Sequence, residues 1–308
     1  MNQAAESHRT QARLALALAV LGVSFGASFV RFAASQPLAT AAWRMTFATV
    51  VIAIFVGRDW RRLLTLTRRE FSMSAVAGLF LALHFATWIT SLSHTTVASS
   101  VVLVNTAPIW VAVLAPLVTR ERSTPRVWAG VLLSFAGAAI IAGSDLRASG
   151  AAMHGDLLAL AGGLCLAVYI LLGRRLRAAL PLTHYCAITY AASAIVLWSL
   201  ATGASARMAG FGAQTWAALL GMTLVSQIGG HTLYNWSLKH LPASAVSVAL
   251  MGEPLVSSLL AWQFFGEVPP PLSFLGALFV LAGIYLASIA SVLAPPRPPH
   301  SAQQPLAP

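Results

Sequence analysis

A stretch of the chain reappears 146 residues later with no gap. VASSVVLVNTAPIWVAVLAPLVTRERSTPRVWAGVLLSFAGAAIIA overlays ASAVSVALMGEPLVSSLLAWQFFGEVPPPLSFLGALFVLAGIYLAS. Pro108 falls on Pro254, Glu121 on Glu267, Pro125 on Pro271, Gly130 on Gly276 and Gly137 on Gly283. Just upstream, Leu92 falls on Leu238 and His94 on His240. A period this long is half the chain, so it marks a duplication rather than a solenoid repeat.

The solvent of each half is lipid. Of the residues, 58% are hydrophobic and 9% charged, far from soluble usage, and apolar runs of about 20 residues follow one another with brief polar breaks. Dividing the chain at those breaks predicts an all-α membrane protein of ten transmembrane helices. The first five cover 13–32, 38–57, 71–93, 97–118 and 127–143; the second five cover 155–173, 182–203, 213–238, 243–265 and 272–291. The units are thus 13–143 and 155–291, followed by a Pro-rich tail, 295–308, expected to be disordered. Five is odd, so the second unit enters the membrane from the opposite side, and the repeats are inverted.

Charge fixes the orientation. With the N-terminus in the cytoplasm, fifteen of the nineteen Lys and Arg fall inside. Arg31, Arg147 and Arg207 fall outside and Arg44 lies within a span, so both termini are expected on the cytoplasmic side of the inner membrane. The net charge of +11 therefore reflects topology and implies no nucleic acid partner. The apolar run Leu14 to Val30 is long enough to span and has no clear cleavage site after it, so it reads as the first helix and not a signal peptide. Cys165 and Cys186 have neither CxxC nor metal-ligand spacing, so no disulfide framework, metal or cofactor is expected.

The twofold pattern of a mid-helix Pro, a Glu at the helix end and a final GxxxxxxG helix, as in EPLVSSLLAWQFFGE followed by LGALFVLAGIYL, resembles the EamA domain of the drug/metabolite transporter superfamily. The resemblance runs from Leu14 to about Ala290. It implies ten helices in two inverted EamA units, alternating access, and movement of small metabolites such as amino acids, often as efflux. A homodimer is left open.

The repeat also sorts residues. The glycines Gly130, Gly137, Gly276 and Gly283 occur in both halves and read as close helix packing. Pro108 and Pro254 are shared helix breaks that free carbonyls, tolerable at depth only against protein or a wet cavity. Glu121 and Glu267 end their helices at opposite faces, where a solvated end is the plainer reading and gate closure the sharper one. Most tryptophans other than Trp88 read as interface anchors or lipid-facing bulk.

Asymmetric polar residues are the site candidates. Glu253 faces Ala107 in the alignment, and a carboxylate in mid-span is costly unless paired or wet; it could carry a coupling proton or meet a cationic substrate group. Arg44 could bind a substrate carboxylate, snorkel, or pair with Glu253. His84 and Trp88 share one face of the third helix; Gln227, His231 and Asn235 form a stripe on the eighth. Asn105, three residues before Pro108, faces the same region, and Tyr169 on the sixth helix is a further substrate-binding candidate.

The leading function is a secondary transporter, since no GxxxxGK[ST] occurs to bind ATP. An intramembrane enzyme acting on a lipid or peptide lacks HExxH and GxSxG. A non-transporting receptor on the same fold stays open.

Overall fold

The computed structural model describes residues 3–95, 97–143, 150–266, 268 and 271–293. Glu267, Arg147 and the tail 295–308 lie outside the described residues. Helices α1 (Gln3–Ser24) and α2 (Gly26–Ala33) form one bent segment. The helix starts ten residues earlier than expected. Two hydroxyls bond at the bend: Ser24 Oγ donates back to Val20 O at 2.7 Å, a bond that often bends helices, and Ser257 Oγ donates to Ser24 O at 3.0 Å. Helix α3 (Pro37–Val56) opens on a proline suited to a first turn. A 3₁₀ helix, Gly57–Thr65, leads to α4 (Arg68–Ser91), which starts on a Thr67–Glu70 capping box.

The next expected helix is two, α5 (Val97–Val104) and α6 (Ala107–Val118), followed by α7 (Pro125–Gly143). The second half repeats the plan with α8 (Gly150–Arg177) and α9 (Leu182–Gly203). The expected helix 213–238 is then divided into α10 (Ala213–Gly221), a π-helix over Met222–Thr232 and α11 (Leu233–Ser237). Helices α12 (Ala243–Leu250), α13 (Glu253–Phe265) and α14 (Pro271–Leu293) complete the chain. The breaks match across the repeat: Asn105 and Thr106 interrupt the first half where Met251 and Gly252 interrupt the second.

Among the described residues, no strand occurs, and seven helical stretches are long and apolar enough to cross a membrane. Pro125–Ile140 and Phe274–Ala287 are shorter apolar helices. Leu14, Leu18, Ile54, Phe55, Leu117, Phe274 and Leu278 point outward, as lipid contact requires.

The antiparallel seam between α7 and α14 makes the inversion visible. A Cβ on Gly130 would lie 2.7 Å from Gly283 O, and one on Gly137 would lie 2.5 Å from Gly276 O. Ascending one helix therefore descends the other, although the two are counterparts in the repeat. Ser134 Oγ donates to Val280 O at 3.3 Å, and these residues are themselves 146 apart, so the pseudo-twofold axis passes beside them. Backbone contact this close leaves no room for any side chain.

The main core lies between α3, α4, α8 and α9, with Met45, Leu81, Phe85, Ile170, Leu171, Tyr185 and Tyr190 fully enclosed. Helix α1 packs on the π-helix, where a Cβ on Gly22 would lie 2.8 Å from Val225 O. That approach brings α1 onto the widened turns that carry Gln227 and His231.

Candidate functional site

The two helix breaks frame a cavity. Proline cannot donate to the residue four places earlier, which is Val104 for Pro108 and Leu250 for Pro254, and both Val104 and Leu250 line it. Val23 and Leu166 complete the apolar wall, while Arg44, His84, Trp88, His231, Tyr234 and Glu253 supply polar groups. Its volume is about 20 Å³, room for little more than a water molecule. The space between these groups is narrow.

Arg44 is 1% exposed. Its Nε donates to Gln227 Oε1 at 2.9 Å, and its guanidinium carbon sits 4.1 Å from the centre of the Phe85 ring. A guanidinium offers five N–H donors, and one hydrogen bond plus one ring face leaves most of that capacity directed at the cavity. Glu253 lines the same cavity, with Asn105 Nδ2 donating to its Oε2 at 3.4 Å and to Val101 O at 2.8 Å. Arg44 and Glu253 form no ion pair. Arg174 and Glu121 do form one.

The histidines are fixed by the backbone and by tyrosine. His84 Nδ1 lies 3.0 Å from Gly162 O; a carbonyl only accepts, so Nδ1 carries the proton and a neutral ring keeps Nε2 as an acceptor. His84 and Trp88 are stacked, with planes at 2° and centroids 6.0 Å apart. His231 Nδ1 is 2.6 Å from Tyr234 OH. Trp88 Nε1 is buried with no hydrogen-bond partner, a costly donor to leave unmet. Among the described residues, no group of three or more His, Cys, Asp or Glu could hold a metal.

The two internal repeats have their counterpart in known sequences. The model of the EamA-like transporter family matches this chain twice, over 11–143 and 153–289. The chain belongs to the EamA-like transporter family. An uncharacterized transporter of Archaeoglobus fulgidus is 28% identical over 272 residues, 86% of this chain and 87% of its own length. The uncharacterized transporter YwfM of Bacillus subtilis is 26% identical over 263 residues, 83% of this chain and 86% of its own length. A solved crystal structure aligns with a TM-score of 0.75 at 19% identity, covering 92% of this chain and 98% of that one, which speaks to the fold alone. This EamA-family chain is therefore a multi-pass membrane protein of a transporter family.

Within that frame, the sequence candidates separate. Arg44, His84, Trp88, His231 and Glu253 line the cavity. Asn105 and Gln227 stand one residue back, holding Glu253 and Arg44. Asn235 and Tyr169 are bonded to each other, Nδ2 to OH at 2.6 Å, and are not on the cavity wall. Tyr169 still touches the cluster through its ring, 6.4 Å from His231 and 6.3 Å from Tyr234.

Tyr234 and Phe85 were not among the candidates. Tyr234 falls on Trp88 at the repeat offset, a signal that was present; Phe85 has no polar group to mark it. Trp43, Trp198 and Trp216 depart from the anchor reading, for Trp43 packs edge to face with both of the others. The indole N–H of Trp43 donates to Met208 O and that of Trp198 to Thr46 Oγ1, each at 2.8 Å. Exposed Trp60 and Trp262 fit it.

Glu121 is engaged at its helix end. Arg174 Nε donates to Glu121 Oε1 at 2.8 Å, the Ala243 N–H donates to Oε2 at 3.2 Å, and Arg174 Nη1 donates to Leu238 O at 2.7 Å. One carboxylate thus ties the end of α6, α8 and the start of α12 together, so Glu121 is engaged by protein rather than left as a solvated helix end.

Proposed function

We propose that this protein is a secondary transporter that exports a small zwitterionic metabolite, an amino acid or a related compound, by alternating access. It crosses the inner membrane ten times with both termini in the cytoplasm. The observation that carries the reading is the unpaired opposition of Arg44 and Glu253 on one buried cavity. Two opposite charges held near each other in low dielectric attract strongly unless something else satisfies them. A zwitterion does so: its carboxylate meets the guanidinium fork, and its ammonium meets Glu253 beside Asn105.

The same carboxylate supplies coupling. Glu253 cannot hold a proton and a substrate ammonium together, so proton entry releases substrate, and inward proton flow drives export. The small cavity corresponds to an occluded state, and substrate entry requires the two repeats to rock apart.

Flux in proteoliposomes tests this. A panel of labelled amino acids and related zwitterions should show counterflow for at least one member, accelerated by a proton gradient. Glu253→Gln should abolish the proton dependence while the protein stays folded, and Arg44→Gln should abolish flux. A folded protein that moves nothing across the panel sinks the reading, as does chemical turnover of a lipid or peptide without vectorial movement.

A further inference from the structure

Helices α3 and α4 are both long and apolar enough to span, so the short connection between them lies at one membrane surface. That connection, 57–69, reads GRDWRRLLTLTRR, with five arginines against one acid, Asp59. Glu70, the next residue, spends one carboxylate oxygen on its own helix start: Oε2 accepts from the Thr67 N–H and from Thr67 Oγ1, each at 2.9 Å. Arg61, Arg62, Arg68 and Arg69 are exposed. Large apolar side chains are exposed among them, Trp60 at 52%, Leu64 at 74% and Phe71 at 56%.

The segment is held flat against the protein. Leu63 and Leu66 pack on the main core. His184 Nε2, at the start of α9, donates to Asp59 O at 3.2 Å, since a carbonyl only accepts. Residues three apart share a row of a 3₁₀ helix, so Arg61 and Leu64 stand together in one outward row. The Arg61 guanidinium carbon lies 5.9 Å from the centre of the Trp60 ring.

The equivalent connection of the second repeat, 204–212 between α9 and α10, is built differently. It holds one arginine. Arg207 Nε donates to Ala209 O at 3.0 Å and Nη2 donates to Gly210 O at 2.6 Å, so this charge folds back onto its own loop. Its aromatic residue, Phe211, packs edge to face on Trp216 with centroids 5.3 Å apart. Membrane orientation explains why one connection is more basic than the other. It does not require Trp60, Leu64 and Phe71 to point outward among the arginines.

We propose that 57–69, with Phe71, is a binding site for anionic glycerophospholipid. Trp60, Leu64 and Phe71 enter the interface at headgroup level, as amphipathic anchors do. Arg61, Arg62, Arg68 and Arg69 hold the phosphates, whose oxygens match the guanidinium fork. A basic cluster beside a spanning helix is also drawn to an anionic leaflet as a whole. Lipid held there fixes the ends of α3 and α4 to the bilayer surface, and these helices carry Arg44, His84 and Trp88. The matching ends of α9 and α10 lack this basic cluster. The site depends neither on the transported solute nor on which leaflet this surface faces.

Hydrogen exchange of the full protein tests this, with nanodiscs of phosphatidylglycerol compared with nanodiscs of phosphatidylcholine at one pH and about 0.1 M salt. Amides from Trp60 to Leu64 should be about fivefold better protected in the anionic lipid, the factor for roughly one arginine at a charged surface. Amides of 204–212 should not change. Salt at about 1 M should remove most of the gain, because it shortens the screening length to about 3 Å. Arg61→Gln with Arg62→Gln should also remove most of it, whereas Arg61→Lys with Arg62→Lys should keep it. These side chains are exposed, so both double variants should unfold in detergent at nearly the wild-type temperature. Equal protection in the two lipids, a gain shared equally by 204–212, or an undiminished gain in the Gln variant would overturn the proposal. So would a gain of the same size from inorganic phosphate added to phosphatidylcholine discs, which marks a free-anion site. No flux is measured, so failure of the transport reading leaves this result standing.

Discussion

Arg44 Nε donates to Gln227 Oε1 at 2.9 Å, joining α3 to the π-helix across 183 residues of sequence. This bond aims the guanidinium into the cavity and against Phe85 instead of towards the lipid headgroups. It also gives the π-helix a reason to exist, because the widened turn carries Gln227 and His231 together on the side facing α1 and α3. Single π turns recur at functional sites, and here the face that carries Gln227 and His231 is buried in protein, while Leu224 and Val225 point outward.

Gln227→Leu should leave a buried guanidinium without its acceptor and lower stability by about 1–3 kcal/mol. Gln227→Glu restores the bond as an ion pair, so thermal stability should recover while flux is lost, because the guanidinium is then neutralised before substrate arrives. Thermal unfolding in detergent, paired with flux, separates the two effects.

Trp88→Phe removes a buried donor that has no partner. Stability should be unchanged or rise by up to about 1 kcal/mol. If the indole N–H serves the solute, apparent affinity should fall with maximal flux retained. A marked loss of stability instead would mean that the indole bulk, not its N–H, matters.

Gly137→Val puts a branched side chain where even a Cβ would meet Gly276 O at 2.5 Å. The α7–α14 seam should open, with destabilisation of at least about 1–3 kcal/mol. Gly203→Val, at a helix end with open space around it, is the control and should unfold at nearly the wild-type temperature.

Pro254→Ala returns an N–H able to bond Leu250 O and lets α12 run into α13. Stability should change little, since a proline in the first turn of a helix replaces an N–H that has no partner within that helix. Flux should nonetheless fall, because the break that exposes Glu253 to the cavity has closed. Retained flux would show that the break is not needed for access.

Much of this fold was legible because its signals are local or periodic. Apolar runs of spanning length give the helices, and the 146-residue offset gives the duplication. Pro108 and Pro254 mark breaks that fall at equivalent residues in both halves, and the glycines of α7 and α14 mark a seam that does form. The eighth helix was read as continuous because no proline or charge interrupts Ala213 to Ser237; its π turns follow from packing against α1, which no window of sequence displays.

The candidate site was legible as a set and not in its details. Arg44 and Glu253 stood out because charge in lipid is costly wherever the helices go. Their relation to each other did not, since each residue along a helix turns the side chain by about 100°, and a one-residue difference decides between wall and interior. That rotation put His231 on the cavity, turned Asn235 to Tyr169, and placed Gln227 behind Arg44. Sequence alone determined a membrane chain of two inverted halves, because hydrophobicity and repetition are written along it. Only the tertiary structure decided which polar groups share one cavity and which pair off, because that depends on helix rotation and on contacts between residues more than a hundred positions apart.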